Sequence, residues 1–269
     1  MTNADTQIDA IALAKKYQKV RDHSRQICKP LATEDYVVQP IVDVSPPKWH
    51  LGHTTWFFET FILLPNFEGY QAFNPNYNFV FNSYYESVGA RVIRTDRGNL
   101  SRPSVAEVYQ YRQYVDKNMN AFLDSEDIHE EIATLLELGL NHEQQHQELL
   151  ISDIKYILGH NPLFPAYAET ADAKEQTAPA SQKLIFSEGV YQIGFAGDGF
   201  CFDNELGRHK VYLNQFEMAS QLVSNREYLS FITAGGYTDF THWHAEGWDW
   251  VKESQAKAPL YWHWIDGKW

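Results

Sequence analysis

The sequence is short of cysteine and of positive charge, and it has no long apolar run. Its two cysteines, Cys28 and Cys201, are too few and too far apart for a disulfide framework, which fits a reducing compartment. Lys and Arg number 22 against 35 Asp and Glu, a formal charge of −13. A surface that acidic repels phosphate backbones, so nucleic acid is not an expected partner. No stretch reaches the roughly 18 apolar residues that a membrane helix needs. Met1 to Asp5 lack the basic and apolar regions of a secretory signal, so a soluble, cytoplasmic protein is expected. What the chain does have is 44% apolar and 15% aromatic residues in 269, ample for a packed core.

Helical spacing runs over 8–28 through Ile8, Ile11, Ala12, Tyr17, Val20 and Ile27. Ser45-Pro46-Pro47 predicts the start of a second helix, through Trp49, His53, Trp56, Phe57 and Phe61, that stops before Pro65. Residues 66–103, rich in Asn, Pro, Tyr and Gly, read as a long ordered loop with aromatic content at Tyr77, Phe79, Phe81, Tyr84 and Tyr85. Ser104-Val105-Ala106-Glu107 is a capping box that opens a third helix. The acidic stretch Asp124-Ser125-Glu126-Asp127 suggests the start of a fourth, which Gly159 ends with Pro162 just beyond. Four helices with one long crossover suggest a four-helix bundle.

The composition then changes. A polar, small-residue stretch over 168–183 reads as a linker between a helical domain, 1–167, and a second domain, 184–269. Beyond it come short alternating runs such as Val190-Tyr191-Gln192-Ile193 and Lys210-Val211-Tyr212-Leu213, with one short helix near Asn225–Thr233. The fold class expected is α+β. Six of the eight tryptophans lie at or after Trp243. The aromatic stripe over 239–264 reads as packing, with a cation–π pocket for a quaternary ammonium group as the alternative. His242 and His244 would share one side of a strand there and are taken as structural.

The chemistry concentrates in His142-Glu143-Gln144-Gln145-His146. Residues four apart on a helix share a face, so both imidazoles can aim at one ion. The pattern also fits the H-E-x-x-H of zinc proteases, but the longer protease form needs Gly at 149 and His at 152, where this chain has Leu149 and Ser152. A third ligand is expected upstream at His53, with His50, three residues earlier, as the competitor. Three neutral imidazoles with open coordination positions suit iron, zinc or nickel, and the spacing does not choose among them.

Ser45-Pro46-Pro47-Lys48-Trp49-His50-Leu51-Gly52-His53 together with His142-Glu143-Gln144-Gln145-His146 resembles the ergothioneine-biosynthesis sulfoxide synthases. These join a DinB-like four-helix domain to one like the formylglycine-generating enzyme. Gly189 to Gly194, Phe202-Asp203-Asn204-Glu205, Ser224-Asn225-Arg226-Glu227-Tyr228 and Gly235-Gly236-Tyr237 look like the opening of the latter fold. The resemblance implies Fe(II) held by His53, His142 and His146. It implies an O2-dependent reaction that joins a cysteine-type thiol to the imidazole C2 of hercynine, the histidine betaine, and oxidises the sulfur. It also implies that Arg91 and Arg94, an Arg-x-x-Arg pair, grip the thiol substrate's carboxylate, and that Gln145 contacts the betaine imidazole.

The 86 residues from Leu184 onward would hold only the start of that second domain, so it is expected to be incomplete, and no tyrosine present is assigned a catalytic role. The expected partners are small molecules: the thiol, the betaine and O2. Two alternatives stay open: a DinB-like thiol transferase using zinc or nickel without oxygen, and a non-catalytic, truncated metal-binding homologue. Cysteine against gamma-glutamylcysteine, hercynine against histidine, and the oligomeric state are not fixed by any residue pattern.

Overall fold

A computed structural model describes residues 10–83, 85, 89–125, 128–169 and 181–269. Ile8, Tyr84, Glu126, Asp127 and most of the expected linker lie outside the described residues. The protein is α+β, and the chain divides into two compact units, Met1–Ala171 and Asp172–Trp269.

The first unit is built on four helices: α1 (Ala10–Cys28), α2 (Pro47–Phe58), α5 (Val105–Leu123) and α6 (Glu130–Gly159). Both α1 and α2 pack against α5 and α6. Each outer helix buries a stripe at helical spacing. On α1 it runs through Tyr17, Val20, Arg21, Ser24, Ile27 and Cys28; on α5 through Val108, Tyr111, Arg112, Val115, Met119 and Phe122. On α6 it follows Ile132, Leu136, Gly139, Leu140, Glu143, Gln147, Leu150 and Ile154. By contrast α2 is buried on every side, the signature of a helix at the centre of its unit. Ser104 caps α5 as the sequence suggests: its Oγ accepts from the Glu107 amide at 3.2 Å, and its own amide donates to Glu107 Oε2 at 2.7 Å.

Three expectations need correction. The second helix does not stop before Pro65; it passes through a π-helical turn, Glu59–Leu63, into α3 (Leu64–Asn66). The widened turn shifts the carbonyls out of α register, and Pro65 has no N–H to contribute to that register. The buried Glu59 side chain anchors the turn, accepting from the hydroxyls of Tyr70 and Tyr111 at 2.6 Å each and from the Phe73 amide at 2.9 Å. Residues 66–103 are not one loop; they contain α4 (Tyr77–Phe81) and a 3-10 turn, Arg94–Asn99. The fourth helix begins at Glu130 rather than in the 124–127 stretch; Asp124 caps the end of α5, and Glu130 and Glu131 supply the acidic first turn.

An ionic network lies inside the first unit. Glu143 on α6 accepts from Arg21 Nη1 of α1 at 2.9 Å, from Arg112 Nη2 of α5 at 3.0 Å and from Ser24 Oγ at 2.6 Å. Arg21 also reaches Asp116 at 2.7 Å and Thr55 of α2 at 2.9 Å, so all four helices share it. Burial pushes the Glu143 carboxyl up, but the two guanidiniums and the serine hydroxyl outweigh it and hold it at about 2.

The second unit has two antiparallel two-stranded sheets, one nested inside the other in chain order. β1 (Lys183–Phe186) pairs with β4 (Phe216–Ala219), Lys183 opposite Ala219, and β2 (Gly189–Ile193) pairs with β3 (His209–Leu213), Gly189 opposite Leu213. Then come α7 (Asn225–Thr233), at the expected place and capped by Ser224 and Glu227, and α8 (Ala245–Ser254). The unit thus has a second helix besides the one expected near Asn225–Thr233. The segment holding His242 and His244 is a 3-10 turn leading into α8, so these two do not share the side of a strand. Among its described residues, Val251 is the one fully buried apolar side chain.

Candidate metal centre

Glycines allow α2 to meet its neighbours at the level of the histidines. A Cβ on Gly139 of α6 would lie 2.7 Å from ring atoms of both Phe57 and Phe58. One on Gly52 of α2 would lie 2.1 Å from the Phe81 ring. The first close approach brings α2 and α6 together one turn from His142. The second seats Phe81, whose backbone carbonyl faces His53.

Three imidazoles converge there. Ligand-capable nitrogens of His53, His142 and His146 all lie within 4.8 Å of one another, with His53 Nε2 and His142 Nε2 at 3.2 Å. Two nitrogens bound to one first-row cation at about 2.1 Å would sit about 3.0–3.4 Å apart, so this spacing fits a shared ion. On α6 the pair occupies the column 142, 146, 149, 153, beside the core stripe, where it borders a cavity of about 300 Å³.

His53 is fixed from three sides. Its ring is stacked between Trp49, 4.6 Å away and 12° from parallel, and Trp56, at 5.5 Å and 17°. Its Nδ1–H donates to the Phe81 carbonyl at 2.6 Å, which leaves the Nε2 lone pair facing the other histidines. Among the described residues, His142 Nδ1 is buried without a hydrogen-bond partner. Burial holds all three imidazoles neutral. The His142 pKa falls to about 4, with Glu143 opposing the shift. His53 falls well below the usual histidine range through burial and then His142, and His146 falls through burial and then the neighbouring histidines. Neutral imidazole is the form that binds metal.

His50 is not the third member of the cluster. Both its ring nitrogens are engaged elsewhere, Nδ1 with His146 Nδ1 at 2.9 Å and Nε2 with Asp153 Oδ2 at 2.9 Å. Glu143, one residue from His142, points into the ionic network instead of the cavity. It has no place as the general base of a zinc protease.

Of the residues expected to bind substrate, Arg94 and Gln145 line the cavity and Arg91 does not. Arg94 also donates to the Asp43 carbonyl. The cavity adds Arg97, which repeats the Arg-x-x-Arg spacing with Arg94, a signal the sequence carries one step along. The Arg97 guanidinium lies 3.3 Å over the Trp49 ring and donates to Ser45 Oγ at 2.9 Å and Ser83 Oγ at 3.1 Å. No role for this arginine is expected from the sequence. The structure buries it beside the triad.

The helical unit with inward histidines defines a class, and known proteins place the chain in it. Residues 16–150 match the DinB superfamily, and residues 168–261 match the sulfatase-modifying factor enzyme 1-like domain. The chain therefore belongs to the DinB superfamily, with a domain of the sulfatase-modifying factor type behind it, the two-domain order of the family that the sequence resembles. A hercynine oxygenase of Mycolicibacterium thermoresistibile is 27% identical over 156 residues, covering 57% of this chain and 35% of that protein. One of Mycobacterium tuberculosis is 28% identical over 123 residues, 46% of this chain and 29% of that protein. One of Mycolicibacterium smegmatis is 26% identical over 130 residues, 47% and 29%. The chain thus spans about a third of the length of the curated relatives it matches. No helix among the described residues is long and apolar enough to cross a membrane.

Proposed function

We propose that this chain holds Fe(II) on His53, His142 and His146. In this reading it is an O2-dependent oxidoreductase that joins a cysteine-type thiol to the imidazole C2 of hercynine, leaving a sulfoxide. The convergence of three neutral imidazoles on one point beside a cavity carries the reading. Relatives named hercynine oxygenase support the acceptor. The overall reaction balances with one O2: the thiol S–H and the imidazole C2–H are lost, a C–S bond forms, one oxygen atom becomes the sulfoxide and the other leaves as water.

Bound Fe(II) would supply the one-electron chemistry with O2 that side chains alone cannot perform. The residues around it would do the rest. Three neutral ligands leave the ion's charge uncompensated, which draws an anionic thiolate to the site. Arg94, exposed at the cavity edge, would take the thiol substrate's carboxylate, with Arg97 adding fixed positive charge behind it. Gln145 at the rim would offer its amide to the betaine imidazole. Holding both reactants in one cavity turns an encounter of separate molecules into reaction within a complex.

Oxygen uptake by the iron-loaded chain, with hercynine and either cysteine or gamma-glutamylcysteine, tests this. Uptake that needs both substrates and yields a sulfoxide by mass spectrometry is the expected result. A thiol adduct formed without oxygen would make the protein a thiol transferase. Iron binding with no turnover of either kind would make it a non-catalytic homologue. His142→Ala should retain no iron after gel filtration.

A further inference from the structure

Behind His146 the structure continues as an ordered chain of polar atoms, ending on a carboxylate. Asp153 Oδ2 accepts the Ser45 amide at 3.0 Å, just before the start of α2, and it lies 2.9 Å from His50 Nε2. A carboxylate oxygen only accepts, so His50 carries its proton on Nε2. That leaves His50 Nδ1 as an acceptor, 2.9 Å from His146 Nδ1. His146 must then carry its own proton on Nδ1, and its Nε2 lone pair is free for the cluster. The direction of each hydrogen bond follows from the one before it.

We propose that His50 and Asp153 are positioning residues that set the strength of metal binding through His146: the pair fixes the His146 tautomer and orientation and passes part of the carboxylate's charge to its Nε2. This rests on the reading of His53, His142 and His146 as a metal site. The three ligands are not held alike. His53 leans on a neutral backbone carbonyl, His142 Nδ1 has no partner among the described residues, and His146 alone is backed by an anion. Partners behind a ligating imidazole raise its basicity and hold its ring in place, and their loss weakens metal binding. The carboxylate is itself tied by backbone to the entry of α2, the helix that carries His50 and His53. Metal binding and the seating of α2 on α6 therefore share one anchor.

The test is a Co(II) titration of the full chain by calorimetry and visible absorption, comparing the parent with Asp153→Asn, His50→Phe and His142→Ala. Asp153→Asn keeps the shape and removes the charge, and it serves as the conservative variant if His50→Phe fails to fold. The expected result is Co(II) affinity about 10-fold weaker for Asp153→Asn and about 100-fold weaker for His50→Phe, with altered absorption bands. In the metal-free parent, long-range 1H–15N spectra should find His146 protonated on Nδ1, and His50→Phe should move that proton toward Nε2. If both variants bind Co(II) within about twofold of the parent while His142→Ala binds none, the relay is overturned and the metal site stands. Variants that melt earlier without metal, yet keep Co(II) affinity and the His146 tautomer, assign the pair to packing alone and also overturn it. A parent that binds no Co(II) overturns both.

Discussion

Replacing Glu143 by alanine separates two roles that its position in H-E-x-x-H allows. As a general base it would be lost from activity and hardly missed from stability. In the structure it neutralises Arg21 and Arg112, whose side chains are 0% and 1% exposed, while its own is 1% exposed. Breaking a buried pair by removing one partner costs about 3–5 kcal/mol. The lower end applies here, because Arg21 keeps Asp116 and Thr55, and Arg112 keeps Leu51, Thr54 and Thr55. Linkage gives a similar size. The folded-state pKa of about 2 lies below an unfolded value near 4.3, a difference worth about 3 kcal/mol. Because the folded value is the depressed one, this stability is fully present above about pH 5 and is lost as pH falls toward about 2. Urea unfolding followed by far-UV circular dichroism, at neutral pH and again near pH 3, measures both. Glu143→Ala should lose about 3 kcal/mol at neutral pH and much less in acid. A loss below about 1 kcal/mol at neutral pH, with an unchanged slope in urea, would refute the argument.

Gly139→Ala should push α2 away from α6 through the rings of Phe57 and Phe58, costing about 1–3 kcal/mol and weakening metal retention, read by thermal melting and metal analysis of the same preparation. Burial pushes the Cys28 thiol up to about 12, against the pull of Arg112, so a thiol reagent at mildly alkaline pH should label Cys201 in the folded chain and reach Cys28 only on unfolding; equal rates would contradict this. Ser104→Ala removes the α5 cap and should cost about 1 kcal/mol in chemical unfolding, while Glu107→Gln, which keeps an acceptor, should cost less.

The residues along the chain were enough to place α1, α5, α7 and the C-terminal end of α6, because those elements carry their own signals: apolar spacing, Ser-x-x-Glu caps and a closing glycine. The i, i+4 relation of His142 and His146 is likewise local and needs only helix geometry. The π turn before Pro65 was not legible, since it is stabilised by Glu59 meeting Tyr70, Phe73 and Tyr111, contacts made across the fold. The helix over 245–254 was hidden by its aromatic content, which suits strands equally well.

At the site the division is sharper. Sequence determined that His53, His142 and His146 were the histidines to watch, because two lie one turn apart and the third sits in a recognisable run with His50. It could not choose between His50 and His53 on geometry alone, for residues three apart lie near the same helix face. Tertiary structure decided that. It set Gly52 against Phe81, so that His53 gained a carbonyl behind it, and gave His50 to Asp153. It also turned Glu143 into the ionic network and folded Arg97 onto Trp49, so that a glutamate resembling a base became a counter-ion and an arginine without an expected role came to line the cavity. Side-chain direction depends on which neighbour a helix meets, and no local pattern encodes that neighbour.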